Sequence, residues 1–596
     1  MTATELPARP LLVPRMALAA DAHRLPPTGW LRFFPAVDAL RRYSFIDARA
    51  DFVAGLTVAT VAVPQAMAYA MAAGVEPVYG LFSAIVVTAV GAIFDSSSQL
   101  INGPTNATSI AVLSATAAVA PDEKLAAVLL LGAMIGAVQL AITLLRLGDL
   151  TRYVSHSVVV GFTAGAGTLL VLDQLKNLLG QKAIGSADDY FLLRVYHSLT
   201  EGGAVHGPTL AIGLTSVTLA LALRWVKDRM RWPLFPDLLL VVVVMAAATA
   251  WLGLDQAGVK VVGAIPAALP HFVTPKGTIA EMQALAPSAF AIALLGLLEA
   301  LAMAKGIAAK TGQRLDLNQQ CLSEGIANFT GSFFQAIPGS GSLTRSAINQ
   351  QAGARTQWSG VWSAAAVTLI MLLFAPYARF IPRSALAGLL MVAAFRMVDW
   401  ATIRTSIRAT RFDAIIIGAT AFAAVFVTVE FCILIGVVLS FMLAVPRAGR
   451  MLLSEFVVSS EGQVHERLGD DQPEPELLIF GLEGEMFFGA GPALESHLDT
   501  MEDRLLPSTR VLILRVKRAR NPDAVGAALL DEFVRRVHKR GVHVLLCGVR
   551  DDLFAVFDAT GLVTLLHPDH VFREQPVRKT STALAVAHAR ELLAAG

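Results

Sequence analysis

Charge and cysteine are both scarce in this chain. Lys, Arg, Asp and Glu together make up 16% of the 596 residues, against about a quarter in an ordinary soluble protein. That shortfall points away from a wholly soluble molecule. The net charge of +2 is too small to suggest a nucleic-acid partner. The three cysteines, Cys321, Cys432 and Cys547, share no metal-ligand spacing and are expected as core thiols. An apolar core of signal-peptide length is missing from the start. Residues 1–45, rich in Pro, Ala and Arg, are expected to form a cytosolic segment. No nucleophile–base pair or His/Cys cluster stands out, around His156 or elsewhere. The chain does not read as an enzyme, and no cofactor or metal is called for.

Apolar sequence, by contrast, is abundant at 55%. A helix needs about 20 apolar residues to cross the hydrocarbon. By that rule we read a first set of spans near 51–72, 79–94, 104–119, 124–146, 156–173, 206–228 and 237–254. A second set follows near 286–305, 320–333, 344–354, 358–378, 381–398, 412–429 and 431–446. The third and tenth are too short to cross alone. Lys and Arg test this count. With the N-terminus inside, loops after even-numbered spans hold Arg146 and Arg152, then Arg224, Lys227, Arg229 and Arg231. Lys305, Lys310 and Arg314 follow, then Arg404, Arg408 and Arg411, and finally Arg447 and Arg450. Loops after odd-numbered spans are poorer in Lys and Arg, Arg379 and Arg383 excepted. The bias predicts a multi-pass protein of the inner (plasma) membrane with both termini cytosolic.

Composition changes after Arg450. "ELLIFGLEGEMFFGA", "RVLILRVKRA" and "VHVLLCGV" read as strands, and "GAALLDEFVRRVHKRG" as a helix ending at Gly541. Alternating strands and helices predict a small α/β domain. The expected organisation is a transmembrane domain at 46–450, a linker at 451–474, the α/β domain at 475–580 and a C-terminal tail at 581–596.

Two polar stretches interrupt the apolar sequence. "SQLINGPTNATSIAVLS" (98–114) runs into Gly103-Pro104, and "GSFFQAIPGSGSLTRSAINQQ" (331–351) runs into Pro338-Gly339. Each break precedes a short helix, and each falls in the third span of its set of seven. Paired, Gly/Pro-interrupted segments at matching positions mark a transporter built from inverted repeats. Broken backbone at membrane depth must be buried in protein or line a wet cavity. The first N–H groups of each short helix lack intrahelical partners and carry the positive end of its dipole. Two such ends facing each other would cradle an anion. Thr105, Asn106 and Ser109 on one side, and Ser340, Ser342 and Thr344 on the other, add side-chain donors. Arg345 and Glu299 are two charges placed inside spans. An intramembrane arginine is costly and should face a cavity and a counter-charge. For Glu299 the readings are a pair with Arg345 or a site for a coupling cation, H⁺ or Na⁺.

At these residues the chain resembles the SulP family of anion transporters. The likeness runs over most of 40–575. "PQAMAYAMAAGVEPVYGLFSA" (64–84) is similar to the family's first-span signature. "GPTNATS", "LNQQCLSEGIANFTGSFF" and "SGSLTRSAINQQAGARTQWSGV" follow its third, ninth and tenth spans in order, and the C-terminal region resembles a STAS domain. The resemblance implies an α-helical membrane protein of fourteen spans in a 7+7 inverted repeat, divided into core and gate domains, with a cytosolic α/β STAS-like domain. It further implies a homodimer embedded in lipid and elevator-like transport of a small anion. By motif matching, the anion site would involve Gln65, Tyr69, the backbone at Ala107 and Thr108, and Thr344 and Arg345, with Glu299 linked to the coupling cation. The chain departs from the family in two places. Asn318-Gln319-Gln320 stands where "NQE" is frequent, and Asp523 is followed by Ala524, Val525 and Gly526, without a hydroxyl for phosphorylation.

Sulfate is the expected cargo of a cation-coupled symporter. Na⁺-coupled bicarbonate transport, a C4-dicarboxylate, and an uncoupled anion exchanger or channel are the alternatives. A nucleobase symporter of similar architecture fits less well, because Arg345 argues against an uncharged substrate.

Overall fold

The computed structural model describes residues 34–146, 155–182, 184, 191–230, 235–427, 429–459, 463–469, 471, 474–576 and 580–595. Arg152 and Arg231, and residues 1–33 of the expected N-terminal segment, lie outside them. The chain forms two compact units, Met1–Val438 and Leu439–Gly596.

Each of the fourteen expected spans overlaps a helix of the first unit or of its junction with the second. In chain order these are α1 (Phe45–Ala72), α2 (Pro77–Phe94), α3 (Asn106–Ala115), α4 (Lys124–Leu144), α5 (His156–Leu179), α6 (Gly207–Arg229) and α7 (Asp237–Trp251). Then come α8 (Ile279–Thr311), α9 (Leu317–Phe333), α10 (Leu343–Gln351), α11 (Trp358–Ala378), α12 (Arg383–Met397), α13 (Arg411–Phe426) and α14 (Val429–Ala448). Nine helices among the described residues are long and apolar enough to cross a membrane. Three shorter helices, Pro35–Leu40, Phe191–Glu201 and Trp400–Ala409, were not among the expected spans. The last two present one apolar and one polar face rather than an apolar circumference, so a search for continuous apolar runs passes over them.

The helices pack in two groups. In one, α9 lies against α4 and α2, α11 against α1 and α2, and α8 against α4. In the other, α5 packs on α12 and α13, α6 on α12 and α7. The first group thus draws on α1–α4 and α8–α11, the second on α5–α7 and α12–α13. Local sequence sets the helix starts. Ser44 and Asp47 close a capping box on α1, and Thr278 and Glu281 do the same on α8.

The breaks before α3 and α10 are two-residue strands, β1 (Asn102–Gly103) and β2 (Ser340–Gly341). They pair antiparallel, Asn102 opposite Gly341 and Gly103 opposite Ser340. The pairing satisfies backbone groups that proline and glycine have freed from helix, as burial away from water requires.

The second unit holds a six-stranded sheet in the order β4-β3-β5-β6-β7-β8. Its strands are β3 (Met451–Val458), β4 (Val464–Glu466), β5 (Leu477–Glu485), β6 (Val511–Arg520), β7 (His543–Val549) and β8 (Val571–Arg573). β5 to β8 run parallel, while β3 pairs antiparallel with β4 and β5. The stretch 451–474, expected as a linker, therefore contributes two strands, β4 at the edge of the sheet and β3 between it and β5. Period-2 alternation sends Leu478, Phe480, Leu512, Leu514, Val544 and Leu546 to one face, and Leu477, Ile479, Val511, Ile513, Leu545 and Cys547 to the other. α15 (Gly491–Asp503), α16 (Ala524–Lys539) and α17 (Asp551–Ala559) bring their apolar residues to the first face. α18 (Thr580–Ala595) covers the second with Ala585, Val586 and Ala589. Residues 581–595 of the tail expected at 581–596 thus belong to a helix that packs on the core, because a parallel sheet apolar on both faces needs both covered.

All three cysteines are buried. Burial pushes the Cys547 thiol up to about 11, so it stays protonated, as a core thiol should. Asp523 caps α16, accepting from Gly526 N at 2.9 Å, and also accepts from Phe488 N at 2.6 Å.

Candidate functional site

The N-terminal residues of α3 and α10 open onto one cavity of about 680 Å³. Thr105 and Asn106 come from one side, Ser342, Leu343 and Thr344 from the other. Thr105 caps α3 and Ser342 caps α10, each accepting a backbone N–H with its hydroxyl. Two helix dipoles therefore direct their positive ends at one space. Gln65 and Tyr69 line the same cavity. They lie four residues apart on α1, hence on one face. The Gln65 Oε1 has no hydrogen-bond partner among the described residues.

Glu299 on α8 also lines the cavity. Its Oε2 accepts from Thr105 Oγ1 at 3.0 Å and from Ser340 Oγ in a short bond. One carboxylate thus ties the cap of α3 to strand β2. It forms no direct ion pair with Arg345. That guanidinium is fully buried and does not line the cavity. Its Nη2 donates to the Pro104 carbonyl at 2.9 Å, while Nε and Nη1 have no partner. Arg345 therefore sits behind the paired breaks, bonded to the first and carried by the helix after the second. The sequence expectation of an arginine facing the cavity is corrected to an arginine buried beside it. The physical reason is Gly103, whose missing side chain leaves room: a Cβ there would fall 2.9 Å from Nη1.

Ala107 and Thr108 are buried and do not line the cavity. The Thr108 N–H is taken up by Thr105 Oγ1 at 3.3 Å in a capping box, so that donor is not spare for a ligand. Of the expected residues, the structure brings Gln65, Tyr69, Glu299 and Thr344 to one cavity. It places Ala107, Thr108 and Arg345 around it.

Sequence reasoning missed a basic part of the wall. Arg224, Lys227 and Arg396 line the cavity as well, and Lys227 lies 3.0 Å from Asp237. Arg224 and Lys227 were legible only as topology signals. Arg396 was legible as a charge within an apolar segment.

The bridge tolerates no bulk. A methyl group on Gly339 would lie 2.3 Å from the Gly103 carbonyl oxygen, and a Cβ cannot rotate away. Gly339→Ala should destabilise the protein by about 1–3 kcal/mol and part the two N-termini. A lowered melting temperature together with weakened anion uptake is the expected result. Normal uptake at normal stability would show the strand pair to be dispensable.

A helical membrane fold whose two broken segments aim their N-termini into one cavity is of the secondary-transporter type. The chain belongs to the sulfate permease family, whose profile matches residues 49–420, and a STAS domain matches residues 470–575. It is similar to YvdB of Bacillus subtilis (strain 168), a protein named for sulfate transport, at 29% identity over 89% of this chain and 97% of that one. It is similar to the sodium-independent sulfate anion transporter of Bos taurus at 28% identity, over 90% and 89% of the two chains. Its fold matches the inward-facing structure of the murine Slc26a9 anion transporter with a TM-score of 0.85 at 20% identity, covering 94% of each chain.

Proposed function

We propose that this protein carries a small inorganic anion, sulfate first, across the cytoplasmic membrane by cation-coupled symport. The observation that carries the reading is the convergence of two helix N-termini on one cavity, backed by a buried guanidinium with unpartnered nitrogens. Two positive helix ends beside a buried guanidinium suit an anion better than a neutral ring. The named functions of the relatives favour sulfate among anions. Glu299 supports coupling: a carboxylate in an anion cavity repels the cargo until a cation neutralises it. The two packing groups support an elevator, in which α1–α4 and α8–α11 carry the anion past the other helices in a 7+7 repeat. Dimerisation through the STAS domain and cytosolic termini complete the reading.

Uptake of labelled sulfate into proteoliposomes tests it, with bicarbonate, fumarate and chloride as competitors and with imposed pH and Na⁺ gradients. Accumulation driven by a cation gradient and blocked by sulfate-like oxyanions is expected. Na⁺-driven bicarbonate accumulation without sulfate uptake would overturn the cargo and keep the site. Sulfate exchange indifferent to every gradient would overturn symport.

A further inference from the structure

A second acidic cluster lies outside the cavity. On α9, Gln320, Glu324 and Asn328 recur every four residues and share one buried face. Gln320 Nε2 donates to Asp95 at the end of α2, at 2.6 Å. Asn328 holds Gly339 from both sides, donating to its carbonyl at 3.0 Å and accepting its N–H at 2.8 Å. Glu324 sits between these two, fully buried, with the Gln320 amide as its neighbouring polar group but neither carboxylate oxygen in hydrogen-bond geometry among the described residues. Asp95 is equally buried, and its partners are all neutral. Besides Gln320 they are Ser323 Oγ at 2.6 Å and Asn102 Nδ2 at 3.0 Å. The same Asn102 side chain, 1% exposed, leaves its Oδ1 without a partner. The titratable groups facing Glu324 are Asp95 and, farther off, Glu299. α4, packed along the same helix, contributes the uncharged Gln139 and Thr143.

Two buried carboxylates and a buried amide are thus grouped where α2, β1 and α9 pack, with three acceptor atoms outside hydrogen-bond geometry and no cationic side chain paired with them among the described residues. Burying an ionised carboxylate without a partner costs several kcal/mol. Oxygen acceptors of this kind are satisfied by a hard cation or by a proton. We propose that Glu324, Asp95 and Asn102 form a buried binding site for a monovalent cation, H⁺ or Na⁺, distinct from the Glu299 cavity. Asn102 belongs to β1 and Asn328 grips the residue before β2, so occupancy bears directly on the strand pair that positions both anion-facing helices. Gln320 fits this role. An amide at that position donates to Asp95, where a carboxylate would repel it. The transport consequence rests on the symport reading. Sulfate carries two charges, and Glu299 plus this site provide for two cations per sulfate.

The test separates binding from transport. On purified full-length protein, infrared spectra read the protonated-carboxyl stretch, and thermal melts compare Na⁺ with K⁺. If the ligand is H⁺, a carboxyl band fades as pH rises over the range of uptake and is missing from Glu324→Gln. If it is Na⁺, a Na⁺-specific rise in melting temperature is lost in Glu324→Gln and in Asp95→Asn. In proteoliposomes, Glu324→Gln lowers the cation-to-sulfate ratio by one. A band that stays constant with pH, together with no Na⁺-specific shift in the wild-type protein, overturns the site whatever the transport assay gives. Binding signals that persist when the wild type shows no gradient-driven uptake would keep the site and sink symport instead.

Discussion

Arg345→Ala should weaken sulfate binding about ten- to a hundredfold while leaving the empty protein as heat-stable as before, or more so. The guanidinium is buried without a direct ion pair, with Glu299 as its neighbouring negative charge, bonded through one nitrogen to Pro104 and unpartnered at the other two among the described residues. Its attraction for an anion in the adjacent cavity is of the order of a hydrogen bond to a charged group, about 1.5–3 kcal/mol, and each ~1.4 kcal/mol is tenfold in affinity. In the empty protein the same charge, without a direct ion pair, is a burden, because burying an ion costs several kcal/mol. Removing it relieves that burden and loses one bond to a carbonyl. Affinity and stability should therefore move in opposite directions, which a purely structural arginine would not produce. Thermal melts with and without sulfate measure both. Full retention of sulfate affinity would remove Arg345 from the anion site. Collapse of the empty protein would make it a brace for the break at Pro104. Arg345→Lys, which keeps the charge, should fall between the two.

Glu299→Gln should erase the dependence of sulfate affinity on the coupling cation. A negative carboxylate lining the cavity opposes an anion. Two unit charges about 4 Å apart interact by about 4 kcal/mol at an effective dielectric of 20. A proton or Na⁺ on Glu299 removes that opposition, so cation and anion each raise the other's affinity, as linkage requires. In the wild type, sulfate affinity should rise as pH falls if the cation is H⁺, or as Na⁺ rises if it is Na⁺. Coupling of this kind typically amounts to about 5–150-fold. Glutamine keeps the size and can still accept one hydroxyl of the Thr105 and Ser340 pair, but it carries no charge to neutralise. Sulfate binding titrated against pH and Na⁺ should then be flat. An unaltered profile would take the coupling role away from Glu299.

Much of this site was legible before the structure. Gly103-Pro104 and Pro338-Gly339 announce broken helices by themselves, since proline lacks an N–H and glycine tolerates the φ of +139° that Gly103 adopts. The polar residues after each break announce helix caps. Gln65 and Tyr69 were found through resemblance, and their four-residue spacing puts both on one face. What failed was depth. Nothing near Arg345 says that it points behind the bridge rather than into the cavity. Nothing near Thr108 says that its N–H is spent on Thr105. Glu324 looks like an ordinary polar residue in the middle of a helix, and only packing shows that both its oxygens lie outside hydrogen-bond geometry. The strands at 451–458 and 464–466 escaped because the strands on this side of the sheet carry mixed polar and apolar residues. The helix at 580–595 escaped because its need arises from the far face of a sheet, not from its own composition.

The sequence alone determined the membrane class, the order of the spans, the two breaks and the types of residue beside them. Those properties depend on neighbours within a few residues: apolar length, missing N–H groups, permitted φ and capping side chains. Tertiary structure decided which of those polar groups meet. Asn102 opposite Gly341, Glu299 between Thr105 and Ser340, and Arg345 against Pro104 are contacts between segments far apart in the chain. Their partners are selected by how apolar helices pack around them. A buried charge or amide takes the polar group that packing brings within reach, and no local pattern encodes that choice.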